Sequence, residues 1–84
     1  MGNLYKSNKK RYFVGVILYN EETKTHAPFY IYKIENRNWC LWKTLEVLNA
    51  EKIERLIFTH DYAMETMEAL KFNGYYAFMQ LTII

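Results

Sequence analysis

The chain has 84 residues, half of them apolar and a quarter charged, with a formal charge of +2. The apolar share excludes intrinsic disorder. The length excludes a second core, since a domain of this size buries only about 60 to 65% of the surface its unfolded chain exposes. A single domain over residues 1–84, with a basic N-terminal arm at 1–11, is therefore expected.

Lys6, Lys9, Lys10 and Arg11 stand immediately before Tyr12-Phe13-Val14-Gly15-Val16-Ile17-Leu18-Tyr19, and no acid precedes Glu21. The pattern imitates a signal peptide, but Asn20-Glu21-Glu22 interrupts the apolar run and no small-residue cleavage site follows. A myristoylation motif would need Ser or Thr where this chain has Lys6. Residues 12–19 instead predict a strand. Tyr12, Val14, Val16 and Leu18 lie on one side and Phe13, Ile17 and Tyr19 on the other, so both faces are apolar and the strand belongs in the middle of a sheet.

Asn20 to Ala27 reads as a polar connection. Pro28 opens a second strand, where a missing hydrogen-bond donor costs least, and Phe29 to Ile34 continues it. Glu35-Asn36-Arg37-Asn38 is rich in turn formers. A third strand is predicted from Trp39 to about Val47. Connections this short allow only an antiparallel meander.

The period changes at Asn49, which reads as a helix N-cap with Glu51 in the first turn and with Leu48 and Ile53 as the hydrophobic staple across it. Ile53, Leu56, Ile57, His60, Ala63, Met64, Met67 and Leu70 then recur at three- and four-residue spacing. They predict a helix over about 50–72, with a break near 59–61 where Thr, His and Asp are poor interior residues and Asp61 can cap a second segment. Asn73-Gly74 ends it in the left-handed conformation. Tyr75 to Ile84 carries no charge and predicts a last strand, covered or paired so that it does not aggregate. The two apolar faces of the first strand place the last one beside it, by a right-handed crossover through the helix. The fold class is thus α+β: a three-stranded antiparallel meander, then a helix and a final strand completing a four-stranded sheet.

Ile53 to Phe58 also fits a strand, which gives three strands, helix, strand, helix, strand. That order resembles ribonuclease H-like folds, and Thr59-His60-Asp61-Tyr62-Ala63 resembles the segment after the fourth strand in that family. The resemblance implies a two-metal nuclease only if the first strand bears an acid. Tyr12 to Tyr19 has none, so the alternative is a minimal version of that order without catalytic acids.

Catalytic patterns are thin elsewhere. Cys40 with His26 or His60 is the one nucleophile pairing, but a lone Cys within Trp39-Cys40-Leu41-Trp42 reads as a small buried hydrophobe. His60 falls on the apolar stripe, the place of a core or boundary histidine. Residues 26, 40 and 60 match no zinc spacing, Glu51, Glu54, Glu65 and Glu68 have helix-surface spacing, and three glycines build no phosphate loop. No enzyme activity, metal or cofactor is expected. One cysteine makes no internal disulfide, which points to a reducing cytoplasm. No uncharged stretch reaches membrane-spanning length, so no membrane contact is expected.

Binding is better supported. Residues 1–43 hold eight Lys and Arg against three Glu, a net +5, and residues 44–84 hold a net −3, so the molecule is electrically polar. One helix covers one face of a four-stranded sheet, and the other aromatic face needs a partner. The candidate contact residues are Lys6, Lys9, Lys10, Arg11, Tyr30, Tyr32, Lys33, Arg37, Trp39, Trp42 and Lys43. A host protein or self-association as a homodimer fits the Trp, Tyr and Met content. RNA or another single-stranded nucleic acid fits base stacking on the aromatics with the basic side chains on phosphates. Residue types with AT-rich codons (Phe, Tyr, Met, Ile, Asn, Lys) make up 39 of the 84, against 12 Gly, Ala, Arg and Pro, as in many bacteriophage and low-GC bacterial proteins. The expected function is that of a small phage or mobile-element accessory protein. It would inhibit or redirect a host macromolecule, such as a nuclease or toxin, by stoichiometric binding through an aromatic sheet face and the basic arm. The alternative is nucleic-acid binding by the same surface.

Overall fold

The computed structural model describes residues 10–36 and 39–82. Along them run β1 (Arg11–Asn20), β2 (Thr25–Glu35), β3 (Trp39–Thr44), α1 (Leu45–Glu51), β4 (Phe58–Thr59), α2 (His60–Phe72) and β5 (Tyr76–Leu81). The fold is α+β, with the meander first. Its sheet has five strands rather than four, because residues 58–59 add a short fourth one.

β1 is central, as its two apolar faces predict. Gly15 lies opposite Tyr30 of β2 and Phe78 of β5, which places those strands on its two edges. Tyr12 lies opposite both Phe58 and Leu81, so β4 shares an edge of β1 with β2. β2 parts from β1 after Tyr30, and residues 53–59 fill the opening. There the Leu56 N–H donates to the Ile31 carbonyl at 3.0 Å, and Phe58-Thr59 pairs with Tyr12-Arg11. All strand pairs are antiparallel.

Pro28 sits within β2, not at its start: the strand begins at Thr25. Pro28 lies opposite Ile17 but one residue before the β3 ladder, which begins at Phe29–Thr44, so its missing donor interrupts no bond to β3. A bulge between Ile31 and Lys33 keeps Ile31 and Ile34 on one face, opposite Trp42 and Cys40.

The third strand stops at Thr44, three residues short of the predicted end, because Thr44 caps α1. Its hydroxyl accepts the Val47 N–H at 3.3 Å. Asn49 is therefore inside α1 and is not a cap. The Leu48/Ile53 pair belongs to the other end: the Ile53 N–H donates to the Leu48 carbonyl at 2.9 Å and the Lys52 N–H to Asn49 at 3.2 Å, with Lys52 left-handed (φ 58°). This is the bonding of a Schellman C-cap. A continuous helix over 50–72 does not form. Residues 53–57 form no helix, Phe58-Thr59 is a strand, and α2 begins with Thr59, not Asp61, as its cap, accepting the Tyr62 N–H at 3.3 Å. The elements follow one another as three strands, helix, strand, helix, strand. Gly74 (φ 88°) ends α2 as predicted, with Tyr75 N–H bonded to Leu70 and Gly74 N–H to Lys71.

The last strand lies beside β1 but runs antiparallel to it, so the expected crossover starts elsewhere. β4 and β5 are both antiparallel to β1 and lie on its opposite edges, hence parallel to each other, and α2 connects them across β1. Ala63 and Leu70 of α2 form the core with Val14, Val16, Ile31, Phe58 and Ala77 of the sheet. No described helix is long and apolar enough to cross a membrane.

Candidate functional site

The sheet's two faces are covered unequally, and both differ from the expectation of one covered face and one bare one. On the face away from α2, Phe78 lies over Gly15, where an added Cβ would come within 2.7 Å of the ring. Phe13, Tyr30 and Phe78 stack edge to face, with centroids 6.4 and 5.5 Å apart. The Arg55 guanidinium caps them, 3.6 Å from the Phe13 centroid and 4.7 Å from that of Tyr30. The Tyr30 hydroxyl donates to Gln80 Oε1 at 2.9 Å. Tyr30 is thus only 8% exposed, so this predicted contact residue is withdrawn into the far face.

The same face carries Lys43, opposite Tyr30 in the ladder. Lys43 Nζ lies 5.3 Å from the Tyr32 ring centroid and 2.6 Å from Glu51 Oε1 of α1. The hydrogen bond to Glu51 holds the Lys43 ammonium above its ordinary range. Leu45 and Asn49 of α1 line a hollow of about 310 Å3 with Phe13, Arg55 and Ile57, so α1 and the 53–57 segment cover part of this side. Lys33 pairs with Glu35 at 3.2 Å, with both side chains largely solvated. Two of the predicted cations are thus already paired with acids.

On the other face, α2 packs on β5, β1 and β4. A 13-residue helix cannot also roof β2 and β3, and a groove of about 790 Å3 remains there. Ile34, Cys40, Trp42 and Trp39 form its sheet side, Tyr62, Glu65, Thr66, Ala69, Leu70 and Asn73 its helix side, and Tyr75 an end. Tyr12 stacks on His60 at the start of α2 (5.5 Å), and Ile17 pairs with Tyr76 just past its end, so α2 runs alongside β1 and β3 in their direction. Trp39 and Tyr62 therefore mark one end of the groove, and the edge-to-face pair Trp42–Tyr75 (5.1 Å) the other. Trp39 is 67% exposed and Tyr62 47%.

The predicted contact residues thus separate. Trp39 and Trp42 line the groove, Tyr30, Tyr32 and Lys43 belong to the opposite face, and Lys33 lies at the β2 bulge beside Tyr32. Lys10 is exposed. Arg11 is the first residue of β1 rather than part of an arm, and its guanidinium donates to the Lys10 carbonyl. Lys6, Lys9 and Arg37 lie outside the described residues. Tyr62, Glu65, Ala69 and Tyr75 are the groove residues that sequence reasoning missed. The signal was present: Tyr62, Thr66, Ala69 and Asn73 recur at four-, three- and four-residue spacing, a second stripe beside Ala63, Met67 and Leu70.

The possible reactive groups are dispersed. Cys40 lines the groove, and burial pushes its thiol up, away from nucleophilic thiolate. His60 lies at the start of α2 with Nδ1 3.2 Å from Asp61, and His26 stacks on Tyr19 at 5.5 Å on the β1–β2 hairpin. Among the described residues no three His, Cys, Asp or Glu side chains gather in a way that could hold a metal.

Comparison with protein-family models, curated proteins and solved structures finds no match to this chain. Its function is therefore read from its own geometry.

Proposed function

We propose that the chain is a small, non-enzymatic binding protein that acts stoichiometrically on a host protein. In its concrete form it is a phage or mobile-element accessory protein that inhibits or redirects a target such as a nuclease or toxin. The observation that carries this reading is the groove beside α2, walled by four aromatic side chains. Trp39 and Tyr62 are both exposed to solvent, in the residue classes that dominate protein interfaces. A lone, unpaired cysteine suits a reducing cytoplasm, and the AT-rich composition supports the mobile-element form.

A second reading, RNA or single-stranded nucleic acid, draws on the Lys43–Tyr32 contact and the basic start of the chain. The carboxylates of Glu51 and Glu35 beside Lys43 and Lys33 weigh against it, because a phosphate brought there meets like charge.

The test is capture of host protein on the tagged chain, followed by reconstitution of the purified pair and light scattering. The expected species is a 1:1 complex in which the target's activity is altered, and Trp39→Ala weakens it. Turnover of a substrate by the chain alone, lost on His60→Ala or Cys40→Ala, would overturn the reading.

A further inference from the structure

Resting on that binding reading, we propose that the groove takes an extended peptide segment of a partner protein. The segment adds as a strand along the outer edge of β3, with apolar side chains at alternate positions and a Lys or Arg that meets Glu65. β3 pairs with β2 along one edge, and among the described residues no strand lies on the other. The backbone groups of that edge are a template for another chain. The residues that usually block such an edge are missing from its groove side. Lys43 is the one charged residue of β3, and its ammonium is held by Glu51 on the far face.

The groove lies beside this edge, under the face that shows Cys40 and Trp42. A strand added to β3 points every second side chain to that face, where Tyr62 and Ala69 form the opposite wall. Backbone bonds then supply affinity and the groove supplies selection, as in other strand-addition complexes. A helical ligand would fill the groove but leave the β3 edge unpaired. Charge settles the partner's sign. Among the described residues Glu65 is the only charged one lining the groove and forms no ion pair, and Asp61 and Glu68 lie near it on the exposed side of α2.

Both tryptophans of the chain line this groove, so tryptophan emission, excited selectively at the red edge, reports on it. The experiment selects a displayed library of random twelve-residue peptides lacking tryptophan on the full chain. The best binder is then synthesised, together with a version in which its basic residue is Glu and one N-methylated along one backbone edge. The expected winners have apolar residues at i, i+2 and i+4 with a Lys or Arg among them. They shift the tryptophan emission with 1:1 saturation and slow amide exchange over residues 39–44. The Glu version binds at least about tenfold more weakly, one such charge contact being worth roughly 1.4 kcal/mol or more. Glu65→Arg reverses that preference, and N-methylation abolishes binding.

Winners with helical spacing, equal affinity for both charge forms, or protection along β5 instead of β3 would overturn this assignment while leaving stoichiometric binding intact. So would a concentration-dependent emission shift without peptide, which would seat a second copy in the groove. An empty selection, with a host complex indifferent to Trp39→Ala, would do the same. Cleavage or modification of the peptide would instead overturn the binding reading itself.

Discussion

The guanidinium of Arg55 lies over Phe13, 3.6 Å from the ring centroid, and ties the 53–59 segment to the first strand. The contact explains why Tyr30 is buried without a helix above it: the second ring beneath the same guanidinium is that of Tyr30. A half-buried cation over two rings contributes about 1 to 2 kcal/mol. Arg55→Ala should lower the melting temperature by about 4 to 8 °C for each kcal/mol lost in a chain of this size. Arg55→Lys should restore only part of it, since an ammonium lacks the planar stacking surface. A melting curve unchanged by Arg55→Ala would contradict this role.

Gly15 has no room for a side chain. A Cβ there would come within 2.4 Å of the Phe29 carbonyl oxygen and 2.7 Å of Phe78. Gly15→Ala should destabilise by about 2 to 3 kcal/mol, as overpacking of a fixed core does. Pairing it with Phe78→Leu should recover only a fraction, because the backbone oxygen cannot retreat. Urea titration of the two variants measures both effects, and full recovery in the double variant would place the whole obstruction in the ring.

The two helices end in the same hydrogen-bond pattern with different residues in the left-handed position, Lys52 (φ 58°) and Gly74 (φ 88°). Lys52→Gly should be neutral to stabilising by up to about 1 kcal/mol, as the left-handed strain disappears while the unfolded chain gains freedom. Gly74→Ala should cost about 1 to 2 kcal/mol although nothing crowds its Cβ, because the strain lies in the backbone alone. Thermal denaturation of both variants would show opposite or unequal shifts, and equal losses would contradict the account.

Cys40 couples groove burial to pH. Burial pushes its folded-state thiol above the ordinary range, whereas the unfolded chain keeps the ordinary value. The folded form therefore holds the proton more tightly, and the associated stability is complete below the ordinary thiol range. It drains away as pH rises through that range towards the raised value. Denaturant midpoints followed from neutral to alkaline pH should fall more steeply in the parent than in Cys40→Ala. Parallel curves would show that the thiol is not desolvated.

The central strand was legible because Tyr12 to Tyr19 alternates without a charge, and the end of α2 because Asn73-Gly74 has one common meaning. The 53–59 segment was not, since Ile53, Leu56 and Ile57 continue the helical spacing of α2 while lying outside any helix. What overrides that spacing is the opening between β1 and β2, filled by Leu56 and Phe58, a tertiary event invisible to a local window. Lys52 also hid the end of α1, as a left-handed lysine leaves no mark of the kind a glycine leaves. The groove depends on how far α2 sits to one side of the sheet. That offset follows from the β4–α2–β5 crossover over β1, so Trp39 and Trp42 could be named as contact residues but not joined to Tyr62 and Glu65.

The central claim, a partner that is protein rather than nucleic acid, is tested most directly by light scattering on a sizing column. The freshly purified chain is run at low and at high salt while the 260 to 280 nm absorbance ratio of the peak is recorded. A ratio typical of protein that does not move with salt is the predicted result. A high ratio that collapses in salt would mean bound nucleic acid and would contradict the account.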